Sequence, residues 1–335
     1  MLFRSVDLGL APQTAKIGAG RADFVTVLYR HDDAWGMRAA AERYYRIFPE
    51  FFARRATRDG TWFYVVDVSR IPHPEDFGPA FYEGFPRNAK QRDFLRAHAI
   101  AVLPYTEPWG ARQVFPEAET VDQLPTLAER LELLRSWAAD CRSSARLLGG
   151  PRWEVAQAVL NSLPDNAEGE PAGWKVDKYS HWAQWWMTNT NPGLARPNRA
   201  TTCLQFEIEP VLAQADGIYL DSVSPWLADY LNFRREHFAA AEYPLVVDRR
   251  TGRPALLGML SCTEFMDWLA DDLRRRGKLL QMNIFPTAYR FCAHRADVLG
   301  SEVGHSGRNR PALAFSTDAD ALLRRMLAYH KPTSN

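Results

Sequence analysis

The chain has 335 residues, 46% of them hydrophobic, and a formal net charge of +1 from 41 basic and 40 acidic side chains. That is enough apolar material for one large domain and more than a typical single sandwich holds. The near-balanced charge, without long like-charge runs, gives a nucleic-acid backbone nothing to bind, and no apolar run is long enough to cross a membrane. The N-terminal residues lack the apolar core of a signal peptide, so a soluble chain is expected. Cys141, Cys203, Cys262 and Cys292 lie far apart, without metal-ligand spacing, and read as buried thiols.

In chain order, residues 1–34 read as the remnant of an upstream β-rich domain. Ala22-Asp-Phe-Val-Thr-Val-Leu-Tyr-Arg30 is β-branched and aromatic, as a strand requires. Residues 35–60 read as linking helices, with Tyr44, Ile47, Phe48 and Phe51 on one stripe and a break at Pro49. From Thr61 a β–α rhythm carries residues 61–335 as a (β/α) barrel of TIM type, an α/β fold.

Six barrel strands are predicted. Trp62-Phe-Tyr-Val-Val-Asp-Val68 and His98-Ala-Ile-Ala-Val-Leu-Pro104 are continuous apolar runs, as in parallel strands covered on both faces. Gln184-Trp-Trp-Met-Thr-Asn189 is the third and Gly217-Ile-Tyr-Leu-Asp221 the fourth. Lys278-Leu-Leu-Gln-Met-Asn-Ile-Phe285 and Ala296-Asp-Val-Leu-Gly-Ser-Glu-Val303 are the fifth and sixth. Helices are predicted over 125–139, 201–215, 263–276 (capped by Ser261 and stopped by Gly277) and 318–329. Residues 149–181 read as an inserted hairpin and 244–252 as another. A complete barrel needs two more strand–helix units, and the tail Lys331-Pro-Thr-Ser-Asn335 has no strand pattern. The sequence therefore predicts an open barrel, truncated from a longer parent chain that carries further domains.

In such folds chemistry sits where strands end and βα loops begin. The predicted ends carry Asp67, Tyr105 with Glu107, Asn189 with Asn191, Asp221, Asn283 and Glu302. No glycine-rich phosphate loop follows any strand and the histidines are scattered, so no cofactor and no metal is expected. Carboxylates and aromatics around one opening suit cleavage of a glycosidic bond. That reaction needs one ionised carboxylate to attack and one protonated carboxyl to release the leaving group.

Asp221 directly follows an apolar strand, where an unpartnered carboxylate is costly unless it faces substrate, and is the candidate nucleophile. Its other reading is a strand-end cap. Glu302, in Leu299-Gly-Ser-Glu-Val-Gly304, is the candidate acid/base, and Glu107 is its rival. Asp67, Tyr105, Glu107, Trp109, Asn189, Asn283 and His305 are the candidate substrate-binding residues. Glu207 and Glu209, mid-helix, read as solvated.

The stretch Gly217-Ile-Tyr-Leu-Asp-Ser222 resembles the fourth-strand nucleophile segment of retaining (β/α)8 glycosidases, notably the α-galactosidase group. The resemblance implies an acid/base on the sixth strand, the position of Glu302; that group uses Asp there, and has Lys where this chain has Tyr219. The stretches Arg43-Tyr-Tyr-Arg-Ile-Phe-Pro-Glu50 and Arg324-Arg-Met-Leu-Ala-Tyr-His-Lys-Pro332 resemble bacterial proteins of glycosidase type in which a β-sandwich precedes the barrel. Two functions are carried forward: a retaining glycoside hydrolase acting on an oligo- or polysaccharide, and a non-catalytic carbohydrate-binding or scaffolding fragment.

Overall fold

The structure, a computed structural model, describes residues 2–7, 21–64, 66–223, 230–285, 288–300 and 326–334. It is a mixed α/β arrangement of several sheets. At the front, β1 (Leu2–Asp7) and β2 (Arg21–Thr26) pair antiparallel. Helix α1 (Met37–Ile47) follows and gives way at Pro49 to a 3₁₀ turn, where the sequence places the break. Tyr45, next to the predicted stripe, stacks its ring on Tyr329 with centroids 3.8 Å apart.

The body is a run of parallel strands that neighbour one another in chain order. These are β3 (Thr61–Tyr64), β4 (Pro79–Glu83), β5 (Ala101–Leu103) and β6 (Tyr105–Thr106). After an excursion come the rest of the row, with residues 217–223 pairing with β6 on one side and with 279–284 on the other, then 298–300 and 333–334. β5 and β6 are one strand interrupted at Pro104, which has no N–H to give. The ladder continues across it, because Tyr219 N–H donates to the Pro104 carbonyl at 2.9 Å and Asp216 N–H to that of Val102 at 2.9 Å.

The excursion corrects the predicted third barrel strand. It holds β7 (Gly110–Phe115), α2 (Leu127–Ala139), α3 (Arg152–Ser162), β8 (Gly173–Lys178) and β9 (Trp182–Met187). β9 is the centre of an antiparallel sheet between β8 and β7, not a member of the parallel row. Its Trp-Trp-Met run is not covered equally on both faces. Trp186 packs against Leu134 of α2 and Ala156 and Val159 of α3, while Trp185 faces the other way beside Arg112. Thr126 and Glu129 form a reciprocal cap that fixes the start of α2.

Helix α4 (Arg199–Cys203) leads through a π turn, residues 204–208, into α5 (Glu209–Leu212) and then β10 (Gly217–Val223). Gly217 is required there: a Cβ would lie 2.1 Å from the Leu279 carbonyl oxygen of the next strand. Helix α6 (Gly258–Arg275) precedes β11 (Leu279–Ile284), β12 (Val298–Gly300) and β13 (Thr333–Ser334). α6 starts before the predicted Ser261 cap, so Ser261 lies buried inside it, and Gly277 follows it with the positive φ of 67° that a helix stop needs.

Among the described residues the parallel row has seven strands, counting β5 and β6 as one, against the six predicted with a different membership. β4 was missed because Pro79-Ala-Phe-Tyr-Glu83 is short and sits among turn residues. β13 falls in the tail read as patternless.

Period-2 alternation divides the row into two faces. Ile218, Leu220, Leu280, Met282, Ile284 and Leu299 pack outward against Phe265, Met266, Leu269 and Leu273 of α6. Inward lies a second cluster that joins Trp62, Phe81, Leu103, Tyr219 and Val298. Trp62 of β3 stacks on Tyr219 of β10 with centroids 5.1 Å apart. In a flat sheet those strands would stand about 14 Å apart, at about 4.8 Å per strand. The sheet therefore curls until its inner face meets itself. Phe265 is fully buried in the outer layer. Replacing it with Ala should lower stability by about 3–5 kcal/mol, read from the urea midpoint, by removing the ring and leaving a cavity.

Candidate active site

The inner face places Tyr105, Tyr219, Asp221 and Asn283 near the carboxyl ends of β6, β10 and β11, the position where parallel sheets bind ligands. A β-bulge aims Asp221. The ladder between β10 and β11 is regular through Leu220↔Met282 and resumes at Val223↔Ile284, so Asp221 and Ser222 together oppose Asn283. Ser222 accommodates the extra residue with a φ of 57°, a left-handed conformation that costs a non-glycine residue roughly 1–2 kcal/mol. The Trp109 indole N–H donates to the Asp221 carbonyl at 2.7 Å and fixes the main chain at this point.

Four donors converge on the Asp221 side chain. Oδ1 accepts from Asn283 Nδ2 at 2.7 Å and from the Tyr219 hydroxyl at 3.3 Å. Oδ2 lies 2.9 Å from the Ser222 hydroxyl and 3.0 Å from the Tyr105 hydroxyl. The Tyr105 oxygen is also 2.9 Å from Glu107 Oε2.

One hydroxyl carries one proton and so cannot donate to both carboxyls. Glu107 is the one set up to hold a proton of its own. Burial, with the nearby Asp221 charge adding to it, raises its pKa against the lowering effect of Tyr105, Ser222 and Lys175. A neutral Glu107 donates to the Tyr105 oxygen, and Tyr105 donates on to Asp221. Partial burial and the two flanking carboxyls raise the Tyr105 pKa, which keeps that proton on the phenol. Both carboxyls are bonded to one oxygen, so their facing oxygens are no further apart than those two bonds laid end to end.

The structure thus brings together Asp221, Glu107, Tyr105 and Asn283 from the predicted set. Asn283 is buried, and its Oδ1 has no hydrogen-bond partner among the described residues. Trp109 is buried against Phe265 and acts on the Asp221 main chain rather than presenting a face to solvent. Asp67 caps the next turn: it accepts from Ser69 N–H at 3.1 Å and Ser69 Oγ at 2.6 Å and pairs with Arg70. Glu302 and His305 lie outside the described residues.

Asn189 is turned into the interior. It is buried, its Nδ2 lies 3.3 Å from His237 Nδ1, and its Oδ1 accepts from Asn191 N–H at 2.9 Å. Asn191 continues this network to Glu264, which also accepts from the backbone N–H groups of Glu242 and Tyr243 at 2.8 and 2.7 Å. Burial raises the Glu264 pKa to about 7. Its neutral form therefore stabilises the folded state. That contribution is complete below the unfolded carboxyl value of about 4.3 and is lost as pH rises towards 7, on the order of 4 kcal/mol over the window. Urea midpoints measured between pH 4 and 8 should fall across that window in the wild type, and Glu264→Gln should flatten the fall.

Three site residues escaped the sequence reading. Ser222 and Tyr219 flank Asp221, and only the bulge gives Ser222 its contact. Glu207, read as solvated, is paired with the buried Arg199. Cys141 is exposed, against expectation, while Cys203, Cys262 and Cys292 are buried. Among the described residues no group of His, Cys, Asp or Glu could hold a metal ion, and no helix is long and apolar enough to cross a membrane.

No family model matches the chain, and no curated protein matches it in sequence. Among solved structures the chain is similar to the α-N-acetylgalactosaminidase NagBb from Bifidobacterium bifidum in complex with GalNAc, at 10% identity and a TM-score of 0.38. The likeness covers 93% of this chain and 48% of the other, so this chain spans about half the length of that enzyme.

Proposed function

We propose that the protein is a glycoside hydrolase of retaining type built on a curled (β/α) barrel, with Asp221 as nucleophile and Glu107 as acid/base. The observation that carries the reading is the single Tyr105 hydroxyl bonded to both carboxyls. It brings the two carboxyls within reach of one phenol, one in a four-donor cradle and the other biased by burial towards its protonated form. Asp221 attacks the anomeric carbon as the Glu107 proton passes to the leaving oxygen; Glu107, now ionised, then takes a proton from the water that releases the sugar. Strands that follow one another in chain order, all parallel, are the order of a (β/α) barrel, and the Trp62–Tyr219 stack joins two of them across the inner face. No cofactor takes part, and the substrate is an oligo- or polysaccharide.

Glu302, two residues beyond the end of β12, is the second candidate for the acid/base role. β12 pairs Gly300 with Asn283, which brings this strand's end to a residue of the site. The test is a panel of α- and β-aryl glycosides followed by trapping with the matching 2-deoxy-2-fluoro glycoside. The reading requires turnover of at least one glycoside and a glycosyl adduct on the peptide that contains Asp221. An adduct elsewhere removes Asp221 from the role. Saccharide binding without turnover on any member of the panel assigns the chain to the carbohydrate-binding alternative.

A further inference from the structure

Arg199 is 1% exposed, among the most deeply buried charges described in this chain. Its Nε donates to the Gly110 carbonyl at 3.3 Å and one terminal nitrogen to the Glu107 carbonyl at 3.4 Å. The guanidinium forks onto both Glu207 oxygens, and its own backbone N–H donates to Ser162 Oγ at 2.9 Å. One side chain therefore ties both ends of the 107–110 segment, from the candidate acid to the first residue of β7, to the helical layer. The π turn makes the fork possible. Arg199 and Glu207 are eight positions apart, about 80° out of phase on a regular α-helix, and the extra residue of a π turn brings the spacing back to roughly 20°.

We propose that Arg199 is a positioning residue of the carboxyl pair: it fixes the main chain that carries Glu107 and holds a permanent positive charge beside it. The proposal rests on the reading of Glu107 as the acid. Burial works against the Arg199 charge, but Glu207 above all, with Glu107 among the further contributors, holds the guanidinium protonated. Coupling between two charges is mutual, so Arg199 favours the ionised form of Glu107 in turn. Glu107 thus sits between opposed influences: burial and Asp221 favour its proton, while Lys175 and Arg199 favour its loss. An acid that must give up a proton in one step and accept one in the next benefits from that balance.

The test is a 13C NMR titration of the Glu107 carboxyl in the 335-residue chain, its resonance identified by its loss in Glu107→Gln. Arg199→Met removes the charge, and the Glu107 midpoint should rise by about one pH unit, a tenfold change in its dissociation constant. Glu207→Gln leaves Arg199 uncompensated, and the midpoint should fall. A purely structural role predicts the same direction in both variants, because loosening the segment hydrates Glu107 either way. Midpoints that do not move, or that move together, overturn the proposal. If Arg199→Met does not fold, Arg199→Gln, which also removes the charge but keeps a donor for the backbone carbonyls, takes its place: a rise is expected, and a fall or no change overturns the proposal. The titration needs no turnover. A protein that cleaves no glycoside would refute the function proposed above and leave this measurement able to decide on Arg199.

Discussion

Asp221→Asn should abolish glycoside turnover, with kcat reduced about 10⁴-fold or more, while the protein stays folded. The substitution keeps the volume and removes the nucleophilic oxygen. The cradle also disfavours it. All four neighbours of the side chain are donors, from Asn283, Tyr219, Ser222 and Tyr105, and an amide presents its NH₂ to two of them. Some local rotation is expected, because the hydroxyls can turn and Asn283 can flip to offer its otherwise unpartnered Oδ1. Stability should therefore change little. The check is kcat on the best aryl glycoside from the panel, with the far-UV spectrum and urea midpoint as controls. Activity within tenfold of wild type would remove Asp221 from the nucleophile role.

Glu107→Gln should cost about 10²–10⁴-fold on substrates with poor leaving groups, the range for a positioned general acid, and far less on dinitrophenyl glycosides, which need no proton to depart. The pH dependence carries a sign. Glu107 works first as an acid, and burial raises its pKa. Activity therefore holds at pH below that value and falls as pH rises through it, and this alkaline limb should be missing in the Gln variant. Azide should restore turnover of the activated substrate by taking the place of the water that Glu107 would activate. If Glu107→Gln keeps its alkaline limb while Glu302→Gln loses it, the acid is Glu302.

The nucleophile candidate was legible in the sequence because a carboxylate after Gly217-Ile-Tyr-Leu220 has few satisfactory places to go, and the structure puts it on the inner face with its neighbours. The strands on either side were legible for the same reason, since Leu279 to Ile284 is apolar on alternate residues that pack on α6. What failed to show was pairing. The 184–189 run carries as much apolar character as the strands of the parallel row, and only the helices over Trp186 reveal that its sheet is antiparallel and covered on one side. Glu207 looked solvated because helical phase was counted at a regular pitch, and the π turn changes that count. Asn189 looked like a strand-end binder because the strand was misassigned. Tyr105 and Glu107 were named as candidates separately, but nothing in the sequence says that one hydroxyl bridges Glu107 to a residue more than a hundred positions away.

The bulge at Asp221 and Ser222 makes the geometry of this site a one-residue insertion in an otherwise ordinary strand. A chain without Ser222 would pair Leu220 with Met282, Asp221 with Asn283 and the following valine with Ile284 in an unbroken ladder. Such a chain would shed the left-handed residue and gain stability, and its aspartate would lose the seryl donor and the offset that aims it at Tyr105. Scaffold and site geometry are thus written in different residues of one strand. The outward leucines and isoleucines hold the sheet to its helix, and a single supernumerary serine gives the aspartate its offset and one of its four donors.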